Sequence, residues 1–160
     1  MIRQTIIKSA LLLSASLAAQ AHSAAIADHA RDTIRSMQAS AYNVGDEADK
    51  LHSFATDSSV GNEARGDLLN AMQIRINQIG KQISLLETER DQLTAWEQQA
   101  LDQTVPLMKD AATTTEQMMT YFNTRRNPAW LGEYRDDAAR VRDDTEKVAS
   151  TLDHFLKVAK

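Results

Sequence analysis

The chain contains no cysteine among its 160 residues. That excludes disulfides, thiolate zinc sites, iron–sulfur clusters and covalently attached c-type haem. It also excludes a lipoprotein, which needs a cysteine directly after the apolar part of its leader. Helix breakers are scarce, with 2 prolines and 5 glycines, and aromatic residues make up only 5% of the chain. Beyond residue 25 no apolar run approaches the roughly 20 residues that span a bilayer. Basic residues are outnumbered 18 to 22 by acidic ones, for a net charge of −4, so the chain is not expected to bind nucleic acid.

The N-terminus carries the first positive signal. Arg3 and Lys8 precede the apolar run from Ala10 to Ala19, and Ala19, Gln20 and Ala21 form a small-residue A-x-A triplet. A charged n-region, an apolar core half the length of a membrane span and a cleavage triplet together predict a secretory signal peptide over residues 1–21. Ala24 and Ala25 offer alternative cleavage points. The mature chain would start near His22 and form one domain over 22–160, in a bacterial periplasm or outside the cell. Losing Arg3 and Lys8 would take its net charge to −6.

Ala, Gln, Glu, Asp, Leu, Arg and Met dominate the remainder, a helical composition. Periodicity locates the helices, because apolar residues recurring alternately three and four apart fall on one stripe. In the first stretch Ala30, Ile34, Met37, Ala41, Val44, Ala48, Leu51 and Ala55 keep that spacing throughout. A helix is expected from about Ile26 to Asp57, closed by Ser58, Ser59, Val60 and Gly61, with Asn62 capping the next.

The second stripe is Leu69, Met72, Ile76, Ile79, Ile83, Leu86 and Leu93, with Arg90 intruding where an apolar residue is due. Thr94 and Glu97 have capping-box spacing, which predicts a tight turn near Gln92 to Thr94. The rival is one continuous helix through this region, about 90 Å long. The third stretch carries Trp96, Ala100, Leu107, Ala111, Met118 and Phe122, with a bend expected near Pro106. Asn127-Pro128 has the N-cap and N1 chemistry that opens a helix. The fourth seam is Tyr134, Ala138, Val141, Thr145, Val148, Leu152 and Phe155.

Beside this last seam Arg135-Asp136-Asp137 and Arg142-Asp143-Asp144 repeat in heptad register, which reads as a solvated outer face braced by Asp136–Arg140 and Asp143–Lys147 pairs. Four helices of similar length with short connections predict an all-α, antiparallel up-down-up-down four-helix bundle. Gly45 and Gly80, next to seams, would allow close helix approach.

Bundles often hold cofactors, so the candidate ligands matter. His29 and His154 fall near one end of the bundle, where two imidazoles could bind haem b or a metal, but each precedes a seam residue and points outward. If cleavage follows Ala21, His22 would present a free amine and imidazole that could chelate copper only with a second ligand such as His29. Met37, Met72 and Met118 lie on seams and read as core filler. No H-E-x-x-H, paired E-x-x-H, EF-hand loop, G-x-S-x-G or S-x-x-K motif occurs, so neither a cofactor nor an enzyme is expected.

One cluster stands out from this composition. Tyr121, Phe122, Arg125, Arg126, Trp130 and Tyr134 gather at the junction of the third and fourth helices. Such residue types concentrate binding energy at interfaces, though the rings would equally plug the core end against Phe54 and Leu69. The expectation is a non-enzymatic interaction, adaptor or chaperone-like module of the cell envelope, with a protein partner and heptads that would also suit a homodimer. The alternative is a bundle that binds haem b, a metal or a lipid.

Overall fold

The computed structural model describes the backbone of residues 4–57, 59–124 and 131–158, and side chains at 28–57, 59–124 and 132–158. Among the described residues all regular structure is helical: α1 (Gln4–Phe54), α2 (Asn62–Thr88), a short 3-10 turn (Arg90–Gln92), α3 (Ala95–Thr124) and α4 (Leu131–Val158). The residues expected to form a signal peptide fall largely within α1, which runs back past Ile26 to Gln4. No helix among the described residues is long and apolar enough to cross a membrane.

All four helices share one core. Every α1 seam residue from Ala30 to Ala55 is buried, and so is every α4 seam residue from Tyr134 to Phe155. On α2 the expected stripe is buried except at Ile83, which is half-buried and packs on the core. Met37, Met72 and Met118 are fully buried. Each helix packs on its neighbours in chain order, and α4 closes on α1.

Polar contacts set the register. Gln38 and Asp49 of α1 reach Asp153 and Arg142 of α4, and His52 Nδ1 lies 3.1 Å from the Arg135 carbonyl, so numbers rise along one helix as they fall along the other. Ser36 meets Gln82 and Glu47 meets Arg75 in the same sense between α1 and α2. The α1–α4 side is the most closely joined and the α2–α3 side the least.

Helix ends depart from the sequence expectation in instructive ways. α1 stops at Phe54, and the Asp57 carboxylate accepts from the Ser59 amide and hydroxyl at 2.9 and 2.6 Å, which turns the chain. Gly61, in extended conformation, is the N-cap of α2, so Asn62 is the first helical residue and makes no cap hydrogen bond. Its Oδ1 instead accepts from Arg65. Arg65 is the actual capping device here: its guanidinium donates to the Phe54 carbonyl at 2.8 and 3.2 Å and to the Asp57 carbonyl at 2.8 Å. A buried cation thereby supplements the single long backbone bond, 3.3 Å, that each of these carbonyls accepts at the end of α1.

The turn between α2 and α3 is confirmed, and a continuous helix is ruled out. Glu97 carries it, with its carboxylate accepting from the Thr94 amide at 2.7 Å and the Thr94 hydroxyl at 2.8 Å. Gln98 donates to the Arg90 and Leu93 carbonyls. Arg90, out of place in an apolar stripe, sits in the 3-10 turn and pairs with Glu87 and Asp102.

On α3 the expected Ala100, Ala111 and Met118 are fully buried, but the buried stripe is otherwise rotated from the expected one. Glu97, Leu101, Thr104, Met108, Ala111, Thr115 and Met118 keep the three-four spacing and are all buried, whereas Trp96 and Leu107 are half-buried. Apolar counting missed this stripe because three of its members are polar. Thr104 and Thr115 hide their hydroxyls by donating to the Ala100 and Ala111 carbonyls one turn back. The helix continues through Pro106.

The acidic triplets of α4 are not wholly solvated. Asp137 is buried and Asp144 half-buried, while Asp136 and Asp143 are exposed. Arg140 pairs with Asp137 and Lys147 with Asp144, three residues apart, in place of the four-apart pairs expected. The second acid of each triplet flanks the seam, one residue before Ala138 or Thr145.

Candidate functional site

Two regions of the surface combine apolar and polar side chains. At the junction of α3 and α4 the structure places Tyr134 fully inside the core and leaves Tyr121 and Phe122 half-buried. Burial pushes the Tyr134 phenol well above its usual pKa, against the opposing effect of the nearby Arg65 charge. Phe122 lies over Gly66, with Cζ 3.0 Å from where a β-carbon would stand. Leu69 is fully buried in the same layer, and Phe54 is half-buried. Arg125, Arg126 and Trp130, like the Asn127-Pro128 cap, lie outside the described residues. Tyr134 belongs to the core and Phe122 packs against it.

The second region was not legible as a site in the sequence. Between α2 and α3 an open groove of about 660 Å³ is lined by Ile76, Gly80 and Ile83 on one side and Val105, Met108 and Ala112 on the other. Asn77, Lys81 and Ser84 of α2 and Lys109 of α3 complete its lining with polar groups. Nothing stands within 4 Å of the β-carbon position of Gly80, so this glycine does not serve close helix packing as expected. Gly45 does, with Thr145 Oγ1 3.5 Å and Glu146 Cγ 3.6 Å from its β-carbon position across the α1–α4 contact.

The groove follows from sequence register. Gly66 and Gly80 are two heptads apart on the α3-facing line of α2, and Phe122 and Met108 are two heptads apart on the facing line of α3. Opposite Gly66 an aromatic ring fills the notch. Opposite Gly80 stands Met108, itself buried but not reaching the glycine. A glycine at each position gave no apolar signal, which is why periodicity alone passed over the site.

Next to the groove α2 exposes two large apolar side chains, Ile74 at 58% and Leu85 at 44%. Ile74 lies one heptad before Lys81, on the same line of the helix. Lys81 and Lys109 make no ion pair among the described residues, unlike Arg75, Arg90 and Arg142. The histidines offer no comparable convergence. His29 and His154 are exposed, with the His154 ring packed edge-on to Phe155 at 5.8 Å. Among the described residues no three His, Asp or Glu side chains are grouped to hold a metal ion.

Comparison of the chain with protein-family models, with characterised proteins and with solved structures finds no match.

Proposed function

We propose that this protein is an exported, non-enzymatic interaction module of the cell envelope, acting as an adaptor or chaperone-like bundle. In this reading residues 1–21 are removed as a signal peptide. Residues 22–160 then work in the periplasm or outside the cell as one up-down-up-down four-helix bundle. The pairwise contact ladders between α1, α2 and α4 support that topology.

The observation that carries the function is the α2–α3 face. An open groove with apolar walls, on a helix that also exposes Ile74 and Leu85, is the kind of surface that helical proteins present to partners. The junction bearing Tyr121, Phe122, Arg125, Arg126, Trp130 and Tyr134 is a second contact candidate. A groove of this volume also lies within the range of small-ligand sites, which keeps a lipid- or cofactor-binding bundle as the alternative.

Export of the protein in a bacterial host with a photocrosslinker at Ile74, and separately at Glu146 on α4, tests the reading. Discrete protein adducts from Ile74 and none from Glu146 are expected, with native mass spectrometry giving a bare chain that begins near His22. A retained haem, metal or lipid mass, or no adduct from Ile74, would sink it.

A further inference from the structure

We infer that the groove at Gly80 receives an aromatic side chain from an acidic segment of a partner protein. The inference rests on the interaction-module reading and names the chemistry of the partner.

Shape comes from the molecule's own precedent. At Gly66 the same register position on α2 is filled by the ring of Phe122, seated so closely that no β-carbon would fit without displacement. Two heptads along, Gly80 opens an equivalent notch, and the residue equivalent to Phe122 is the slimmer Met108. The notch is therefore of a form that accommodates a ring. Ile76, Ile83, Val105 and Ala112 supply apolar walls for it.

Charge gives the second half. Lys81 and Lys109 lie one on each helix beside the groove, both exposed and neither in an ion pair among the described residues. On a chain with a net charge of −4, two such lysines flanking an apolar notch complement carboxylates next to the ring. Asn77 and Ser84 add hydrogen-bonding groups on the α2 lip.

A protein segment fits this surface better than a small amphiphile. Beyond the polar lip of Asn77, Lys81 and Ser84, α2 exposes two further apolar side chains, Ile74 and Leu85. A molecule seated in the groove alone would leave those two side chains in water. A peptide crossing α2 covers them together with the notch, as amphipathic segments do in helical grooves.

The test uses the mature chain, labelled for amide NMR, and three synthetic peptides of equal length: an acidic one with a single Phe, the same with Ala for Phe, and a charge-reversed one that keeps the Phe. The acidic Phe peptide is expected to shift the amides of Gly80, Lys81, Val105 and Met108, and the other two to bind at least tenfold more weakly. The double variant Lys81→Glu, Lys109→Glu should reverse the preference between the acidic and the basic Phe peptide. Gly80→Leu, with open space around it, should abolish binding while the circular dichroism spectrum stays unchanged. Equal binding of the Phe and Ala peptides, or shifts confined to residues around Phe122 and Tyr134, would overturn the inference yet leave an interaction module standing. Groove shifts produced by decanoate and by none of the peptides, or by self-association on concentration, would also overturn it, in favour of an amphiphile or a second copy. The crosslinking from Ile74 judges the broader reading independently.

Discussion

The ring of Phe122 on α3 rests directly on Gly66 of α2, with Cζ and Cε1 at 3.0 and 3.2 Å from the position a β-carbon would take. Gly80, on the same line of α2, has no neighbour at that position. Both are interior helix positions, where alanine is favoured over glycine by about 0.5–1 kcal/mol. Gly80→Ala should therefore stabilise the fold by nearly that amount. Gly66→Ala must displace the ring, and is expected to be less stable than Gly80→Ala by about 1 kcal/mol or more. Urea unfolding of the two variants side by side checks the difference.

Arg65 is the second position at which one side chain holds two elements. It is buried and binds the Phe54 and Asp57 carbonyls across the turn between α1 and α2. Arg65→Met removes these charge-assisted hydrogen bonds, leaving each carbonyl a single backbone donor at 3.3 Å, and should cost about 1–2 kcal/mol. Arg65→Lys keeps the charge but not the planar fork, and should recover only part of the loss. The readout is the urea midpoint, with unchanged helicity showing that the bundle still forms.

Glu97 is 1% exposed, and its carboxylate is spent on the Thr94 amide and hydroxyl. Glu97→Ala should cost about 1–2 kcal/mol by leaving the start of α3 uncapped. Hydrogen exchange should show the loss as faster opening at Thr94 and the first turn of α3, before the rest of the helix is affected.

The acids at the α3–α4 edge give a pH signature. Burial raises the Asp137 carboxyl above its usual value, with Glu133 and Asp136 adding to the rise and Arg140 opposing it. Burial raises Asp144 in the same way, with Asp110 and Asp143 adding and Lys147 opposing. A carboxyl raised on folding is easier to ionise in the unfolded chain. Its cost is absent below the unfolded value and builds as pH rises through the unfolded and then the folded value. Asp137→Asn should thus raise the melting temperature at pH 7, by a fraction of a kcal/mol in stability, with the gain disappearing under strongly acidic conditions. A gain that persists under acid would show that ionisation is not its source.

What could be read in the sequence was set by how locally each feature is determined. The seams of α1 and α4 were legible residue by residue, since their core positions are filled almost entirely by apolar side chains in strict spacing. The turn at Thr94 was legible because a capping box is a four-residue pattern. The α3 stripe was not, because Thr104, Thr115 and Glu97 occupy core positions after satisfying their polar atoms within a turn of themselves. Arg65 as a cap was also hidden, because its acceptors lie 8 and 11 residues away and meet it only once the turn has closed. The groove depends on the side chain that Gly80 lacks, and no count of apolar residues can register that.

The unequal closeness of the four contact sides bears on how the bundle moves. α1 and α4 are joined along their length by packing and by polar links from Gln38 to Asp153 and from Asp49 to Arg142, whereas α2 and α3 are parted at their middle by the groove. Local opening follows the weakest contacts. The bundle is thus built like a book, with α1 and α4 as the spine and α2 and α3 as facing pages, and amide exchange is expected to be fastest where the pages meet at Gly80 and slowest along the spine.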